Sequence, residues 1–341
     1  MKNIAIFCFL LLIRPGISSG QHTKADRAAF FKDESVMEMK LTTDFKRLLN
    51  STKINDFQPA TVSCKLGDST VTEEIRLCAR GEYRRKNCYI PSILLDFKNT
   101  SSPSLSWLGK LKLVSGCGPS SYNEQLLMKE FLIYKIYNLI TEKSFRVHLL
   151  KISYDDTKNK IRSFTQYAYV IEDGNDMAKR NKCVELKKTV IMNGATDRDQ
   201  MTIVALFQYM IGNTDWSLSN NHNIRLIRLK KDSLSLPYPV PFDFDYSGLV
   251  DANYAIPAEQ LGTTSVTERV YRGYTRTMEE LETALDIFRQ KKDSIYTLIK
   301  EFKPLESTGE KVIIPYLNEF YRMIENKSWV KRDFIDNARI R

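Results

Sequence analysis

The sequence predicts an α+β fold in which a β-rich first part is followed by a mainly helical second part. Short segments of alternating apolar and polar residues fill most of the chain from residue 36 to residue 114, which is the pattern of half-buried strands. Helical periodicity dominates beyond residue 176. Strands gathered in one half and helices in the other favour an α+β arrangement. We place the boundary between the parts after residue 174, giving the ranges 21–174 and 175–341.

The first 20 residues have the features of a secretory signal peptide. An apolar run from Ile4 to Ile13 is followed by the small residues Ser18, Ser19 and Gly20. The run is too short to span a bilayer, and no later stretch approaches the roughly 20 apolar residues that a transmembrane helix needs. We therefore expect an exported protein, periplasmic, cell-surface or extracellular, with no transmembrane segment.

Composition narrows the classes of partner. A hydrophobic content of 43% supports a real core, and a net charge of +10 favours acidic partners such as nucleotide phosphates, acidic proteins or anionic surfaces. A merely basic, solvated surface is the alternative. Three histidines and the absence of a Cys-x-x-Cys pair argue against zinc. Cys88 and Cys117 both flank strand-like segments, so we predict that they form a disulfide.

The elements of the first part follow from its periodicity. A proline-free and glycine-free stretch predicts a long helix at Tyr122 to Ile140. Six alternating segments predict strands, which we expect to form an antiparallel sheet: Val36 to Leu41, Ile75 to Cys78, Ile93 to Phe97, Lys110 to Val114, Arg146 to Tyr154 and Phe164 to Ile171.

The second part is predicted to be helical except around one acidic cluster. Helical patterns cover Arg198 to Met210, Met278 to Phe302 and Val312 to Ile324. Two short strand-like segments, Ile224 to Ile227 and Tyr238 to Phe242, interrupt them. These strands deliver polar residues to their ends, where loop side chains can reach a cleft.

A lysine and a glutamate stand out in the first part. Lys112 shares a strand face with Lys110, opposite Leu111 and Leu113. Glu130 lies at the centre of an apolar helix face, where a carboxylate is costly to bury unless a cation meets it. A strand lysine held by a helix glutamate positions an amine for nucleotide phosphates. A solvated lysine and a glutamate with another partner are the alternatives.

The second part holds an Asp-centred loop, Gly212 to Trp216, followed by several asparagines. Asp215 is the predicted catalytic base, with a turn or capping role as the alternative. Asn223 is our first choice for a metal-binding amide because a strand begins directly after it. Asn220 is the second choice, five residues after Asp215.

An Asp-Phe-Asp sequence ends the second of the two strands. Asp243 and Asp245 point to the same side of an extended chain, and two such carboxylates favour a hard divalent cation between them. A catalytic carboxylate, a metal-binding amide and a later metal-binding carboxylate, in that order along the chain, are the elements of phosphoryl transfer from a nucleotide.

Several of these segments resemble the spore-coat CotH-type kinases, a branch of atypical protein kinases that includes exported bacterial proteins. The order of Asp, Asn and Asp is also similar to that of HipA-type kinases, and the resemblance covers roughly residues 70 to 275. It is most specific in the second part. The matching segments are Gly212 to Trp216, His222 with Asn223, Asp243 to Gly248, Arg80 to Arg84, Lys110 to Ser115 and Lys129 to Leu132.

The resemblance implies a protein-kinase-like, two-lobed fold that uses ATP with Mg²⁺ or Mn²⁺ to phosphorylate Ser or Thr of an exported protein. It makes Asp215 the catalytic base and Asn223 and Asp243 metal ligands. Lys112 becomes the phosphate contact, and Glu172, at the boundary, is also assigned to nucleotide binding.

The chain departs from ordinary kinases in lacking Gly-x-Gly-x-x-Gly, His-Arg-Asp and Ala-Pro-Glu sequences. Arg80 with Gly81 is a candidate substitute for the glycine-rich phosphate cover. Three alternatives stay open: a catalytically silent binding protein, an enzyme that transfers AMP or an amino acid instead, and a hydrolase that uses an acidic pair.

Overall fold

A computed structural model describes residues 24–51, 53, 55–66, 69–98, 104–187 and 194–339. The predicted signal peptide, residues 1–20, lies outside the described residues. Within them, no helix combines the length and the apolar character needed to cross a bilayer.

Seven strands of the amino-terminal half form a closed barrel in the order β1-β2-β3-β4-β5-β7-β6. Neighbouring strands are antiparallel, except that β1 pairs in parallel with β6, from Met37 opposite Leu150 to Thr43 opposite Asp156. This parallel pair closes the barrel. The strands are β1 (Met37–Thr43), β2 (Gln58–Leu66), β3 (Ser69–Arg80), β4 (Ser92–Asp96), β5 (Lys110–Ser115), β6 (Val147–Asp156) and β7 (Phe164–Ile171).

The expected kinase-like two-lobed fold is wrong, because the amino-terminal half is a closed mixed barrel. The long helix and six of the seven barrel strands were recognisable from local periodicity, but β2 was not predicted. Closure was not, since it depends on β1 meeting β6 more than 100 residues later, and a period-two pattern does not specify which strands pair.

Helices dominate the carboxy-terminal half, as predicted, and a small antiparallel sheet with strand order β10-β9-β8 lies among them. Its strands are β8 (Cys183–Leu186), β9 (Ile224–Leu229) and β10 (Tyr238–Pro241). The α-helices in the described residues are α1 (Lys24–Phe30), α2 (Phe45–Asn50), α3 (Glu82–Asn87), α4 (Ser121–Ile140), α5 (Gly174–Arg180), α6 (Arg198–Met210), α7 (Met278–Glu301), α8 (Ser307–Ile324) and α9 (Lys327–Lys331).

Two hydrophobic cores share the barrel wall. One side chain set, including Leu111 and Leu113, fills the barrel interior. The opposite face of the wall, including Val114 and Tyr169, packs against α4 and joins the core of the helical half. Helix α4 is therefore buried on most of its circumference, and Glu130 is carried into the interior with it.

Candidate functional site

The loop that carries Asp215 is held from both sides. Gly212, with φ of +65°, turns the chain directly after α6, and a Cβ there would collide with the hydroxyl of Tyr316. The side chain of Asn213 accepts a 2.9 Å hydrogen bond from the amide of Asp215. The guanidinium of Arg272 donates to the carbonyls of Thr214 and Trp216 on either side of it. The backbone at position 215 is therefore fixed before any ligand binds.

Two neighbours orient the carboxylate of Asp215. Its Oδ1 lies 2.7 Å from His222 Nε2, and its Oδ2 accepts a 2.9 Å hydrogen bond from Asn223 Nδ2. The side chain remains about 38% exposed. Because Asn223 uses its amide nitrogen for Asp215, its amide oxygen is the atom left to serve as a metal ligand. Asn223 has φ of +52°, in the left-handed region.

Asp243 lies directly after β10 and shares this neighbourhood. The amide of Phe242 donates to the carbonyl of Asn223, which holds the two loops together. Asp243 has φ of +63° and donates its own amide to the hydroxyl of Tyr134 at 2.8 Å. Left-handed backbone at a non-glycine residue is uncommon and concentrates at functional sites.

Burial and nearby carboxylates raise the pKa of Asp243. Burial is the largest cause and Asp245 the next, and Asp215 is close enough to act in the same direction. Arg84 and Arg80 oppose the shift. The loops that carry Asp215 and Asp243 therefore adjoin, joined by the hydrogen bond between Phe242 and Asn223, and the joint action of the two carboxylates on one ligand stays a prediction.

Glu130, Asp243 and Asp245 form a cluster in which one carboxylate oxygen from each lies within 4.8 Å of the others. Burial and Asp245 raise the pKa of Glu130. Arg84 meets this charge, with Nη2 at 3.3 Å from Asp245 Oδ2 and 3.6 Å from Glu130 Oε2. Burial opposes the charge of Arg84, but Asp245 and Glu130 outweigh it and raise its pKa.

The position of Arg84 decides which face of the cluster is open to a metal. Its guanidinium already neutralises the gap between Glu130 and Asp245, so a cation held by all three carboxylates would have to displace it. Asp243 has no such partner in direct contact among the described residues. The oxygen ligands available to a hard divalent cation are therefore those of Asp243, with Asn223 on one side and Asp245 on the other.

Helix α3 is fixed by a disulfide between Cys88 and Cys117, the pair predicted from the sequence. The bond ties the end of α3 to the loop that follows β5. From this helix Arg84 also donates to the carbonyl of Ser115 at 2.6 Å. Arg84 is therefore fixed by a backbone carbonyl and two carboxylates, and the disulfide fixes the helix that carries it.

Lys112 on β5 and Arg80 on β3 are two partly buried cations of the barrel wall, and their charges interact with each other. Burial lowers the pKa of both, and the charge of Arg80 adds to the effect on Lys112. Asp243 favours the charge of Arg80, and Asp173 favours that of Lys112. Within the described part of the chain, neither forms a salt bridge. Two cations without a salt-bridge partner, such as Lys112 and Arg80, can together bind one anion such as a phosphate.

One of the predicted contacts is wrong. Lys112 does not pair with Glu130, because Arg84 occupies the space beside that carboxylate. Glu172 is paired with Arg180, which contacts its oxygens at 3.2 and 2.9 Å, and it accepts from the amide of Arg146, so its nucleotide-binding role stays a prediction. Asn220 is exposed, and no hydrogen bond joins it to the Asp215 cluster within the described residues.

Sequence reasoning missed several residues that organise the site. Arg84, Tyr134 and Arg272 reach it from segments distant along the chain. Arg84 belongs to the Arg80-to-Arg84 segment that carried part of the family resemblance, but nothing local indicated its partner. Tyr254 also donates to Asp245 at 3.1 Å, from the loop that follows the acidic cluster.

The chain matches no protein-family model, and a comparison with curated proteins finds no match. Its class therefore has to be argued from the site.

Proposed function

We propose that this protein is a metal-dependent phosphotransferase that transfers the γ-phosphate of ATP to a hydroxyl group, with Ser or Thr of an exported protein as the acceptor. The convergence of an oriented, exposed carboxylate at Asp215 with the buried carboxylate of Asp243 carries the proposal. The closed barrel means that it rests on the site and not on a kinase-like fold.

The unpaired cations of the barrel wall support a nucleotide. Arg80 is close enough to Asp243 for their charges to interact, and Lys112 is close enough to Arg80 to add positive charge there. A bound triphosphate would have part of its negative charge met by Lys112 and Arg80, and it could approach Asp243 only with a divalent cation between them. A divalent cation held by Asp243, with Asn223 or Asp245, would supply additional neutralisation of the phosphate oxygens.

Asp215 has the geometry of a residue that accepts a proton from the attacking hydroxyl. His222 and Asn223 fix its carboxylate while more than a third of it remains accessible. As the acceptor oxygen bonds to the γ-phosphorus, the bond to the β-phosphate oxygen breaks and ADP leaves. The hydroxyl proton passes to Asp215.

The motif resemblance to CotH-type kinases supports the same chemistry and an exported location. A hydrolase that uses Asp215 and Asp243 as an acid pair would leave Lys112 and Arg80 without a role. An enzyme that transfers an adenylyl group instead of a phosphoryl group would use the same site. Labelling ATP at either the α- or the γ-phosphate distinguishes the two reactions.

The test uses the purified full chain with Mn²⁺ and ATP labelled at either the α- or the γ-phosphate. We expect γ-label to appear on protein, and Asp215→Asn and Asp243→Asn each to reduce the rate by at least about a hundredfold, the size of effect expected for a general base or a metal contact. Asp293→Asn, a substitution of an exposed aspartate on α7, is the matched control and should retain the wild-type rate.

Three results would contradict the proposal. Transfer of α-label would indicate adenylyl transfer. Absence of any transfer together with no ATP-dependent shift in melting temperature would indicate a binding protein without a nucleotide site. Equal activity in the Asp293→Asn and Asp243→Asn variants would remove Asp243 from the mechanism.

A further inference from the structure

A second feature of the molecule is the tip of the β9–β10 hairpin, residues 230–236, which lies at the opposite end of the hairpin from Asn223 and Asp243. Leu234 is 93% exposed and Leu236 is 51% exposed. Leu234 has the highest exposed fraction among the exposed large hydrophobic side chains of the described residues. Exposing two leucines on one short turn costs solvation free energy unless a partner covers them.

The turn that presents these leucines is ordered. Asp232 Oδ1 accepts hydrogen bonds from the amides of Leu234 and Ser235, at 3.0 and 3.1 Å. Its carbonyl accepts from the Ser235 hydroxyl at 2.8 Å. At the base, the carbonyl of the buried Pro237 accepts from the amide of Asp197. The leucines are therefore displayed by a preformed turn, and little ordering entropy remains to be lost on binding.

Lysines surround this tip. Lys230 and Lys231 are exposed at its start, and the amide of Lys230 donates to the carbonyl of Lys182 on the neighbouring strand end. Lys143 lies over the ring of Tyr238, 4.4 Å from its centroid, at the other side of the hairpin. Asp232 keeps its negative charge while its oxygens accept the hydrogen bonds of the turn, and Asp197 lies at the base of the tip. Lys230, Lys231 and Lys143 outnumber these two carboxylates, so the net charge around the leucines is positive.

We propose that the hairpin tip docks on an anionic lipid surface, with Leu234 and Leu236 entering the headgroup region and the lysines contacting the phosphates. Apolar side chains that protrude from a basic rim fit a fluid interface, which can close around them. A protein partner needs about 800 Å² of complementary surface from each side, whereas this tip offers two leucines on one turn. The proposal is independent of the phosphotransferase function.

The proposal is tested by co-sedimentation of the full chain with lipid vesicles. The probes are vesicles of phosphatidylcholine alone and of phosphatidylcholine with about 30% phosphatidylserine, the anionic lipid class on which juxtamembrane lysines act. We expect binding to the anionic vesicles only, weakened by salt. Leu234→Ser with Leu236→Ser should weaken it by about tenfold or more. Lys230→Gln with Lys231→Gln should also weaken it, by about tenfold.

Ile256→Ser is the matched control, since Ile256 is 71% exposed but has no lysine within three residues on either side. It should bind as the wild type does. Unchanged melting temperatures would show that the variants fold. The proposal is overturned if the leucine variant binds normally, if neutral vesicles bind equally well, or if anionic vesicles do not bind. It is also overturned if the leucines instead mediate self-association or binding to polyglutamate.

Discussion

The two acidic regions of the site contain the same functional group in opposite environments. Asp215 is oriented by His222 and Asn223 and stays partly exposed to water. Asp243 and its neighbours Asp245 and Glu130 are crowded together, and Arg84 compensates their charge. The difference indicates that an exposed carboxylate can be fixed by hydrogen bonds alone, whereas a buried carboxylate cluster is stabilised by a cation and by raised pKa values that favour protonation.

The largest effect on stability is expected from removing that cation. Arg84→Met removes the cation that contacts Asp245 and Glu130; because the raised pKa of Glu130 keeps that group largely protonated at neutral pH, the ion pair lost is mainly the one to Asp245, and breaking a buried ion pair costs about 3–5 kcal/mol. Urea denaturation at neutral pH measures the loss. Arg85→Met, on the same helix but without a carboxylate contact among the described residues, is the control and should change the free energy of unfolding by less than about 0.5 kcal/mol.

A second substitution shows whether the cost is electrostatic. Adding Glu130→Gln to Arg84→Met removes the clustered group whose pKa is raised to about 8, so it should recover part of the lost stability at pH 9, where Glu130 would otherwise carry a charge. If the double variant is as unstable as the sum of the two single variants, the cluster is not electrostatically coupled to Arg84.

The next largest effect concerns the backbone at Asp243. Tyr134→Phe removes the hydroxyl that accepts the amide hydrogen bond of Asp243 and leaves a buried donor unpaired, at a cost of about 1–3 kcal/mol. Tyr122→Phe, at a half-exposed position on the same helix, provides the control in the same denaturation experiment. Equal stability of the two variants would show that the left-handed turn does not depend on this contact.

The pH dependence of stability should have opposite signs at a buried and at a surface glutamate. Burial and Asp245 raise the pKa of Glu130 to about 8, so the folded protein binds the proton more tightly than the unfolded chain and stability falls as pH rises from about 4.5 to 8. Glu130→Gln should flatten this part of the curve.

Glu280 shows the reverse behaviour. Its hydrogen bond to Arg198 lowers its pKa to about 2, so its contribution is present above about pH 4.5 and is lost as pH falls toward 2. Because the pair is near the surface, we expect at most about 1 kcal/mol. Glu280→Gln should flatten only the acidic limb of a plot of unfolding free energy against pH. If Glu130→Gln and Glu280→Gln change the same part of the plot of unfolding free energy against pH, the prediction that the two glutamates act with opposite signs is wrong.

The smallest stability effect is expected at the exposed carboxylate. Asp215→Asn keeps the shape of the side chain and removes a charge that is accessible to solvent, so the free energy of unfolding should change by less than about 0.5 kcal/mol. The same thermal or urea measurement checks it. A loss comparable to that of Arg84→Met would mean that Asp215 is a structural residue.

What the sequence could predict was local. The Asp215 loop and the Asp-Phe-Asp segment are short motifs, each at the end of a regular element. The Cys88–Cys117 pair was predicted because both cysteines flank strand-like segments. The long helix α4 could be predicted from the sequence because its 20 residues contain neither proline nor glycine.

What the sequence could not predict depends on long-range pairing. The barrel closes through β1 and β6, and the pattern of each strand alone is compatible with several neighbours. Glu130 was correctly expected to need a cation, but the sequence favoured Lys112 over another lysine or arginine, and charge alone does not select among them. Only the fold decides that α3 places Arg84 beside it.

The central claim is that Asp243 holds the metal while Asp215 serves the acceptor hydroxyl, and Mn²⁺ binding to single variants tests it most directly. Titration calorimetry with ATP present should show that Asp243→Asn weakens Mn²⁺ binding by about tenfold or more, whereas Asp215→Asn binds Mn²⁺ as the wild type does. If Asp215→Asn loses Mn²⁺ to the same extent, or if Asp243→Asn retains it, the assigned roles are wrong.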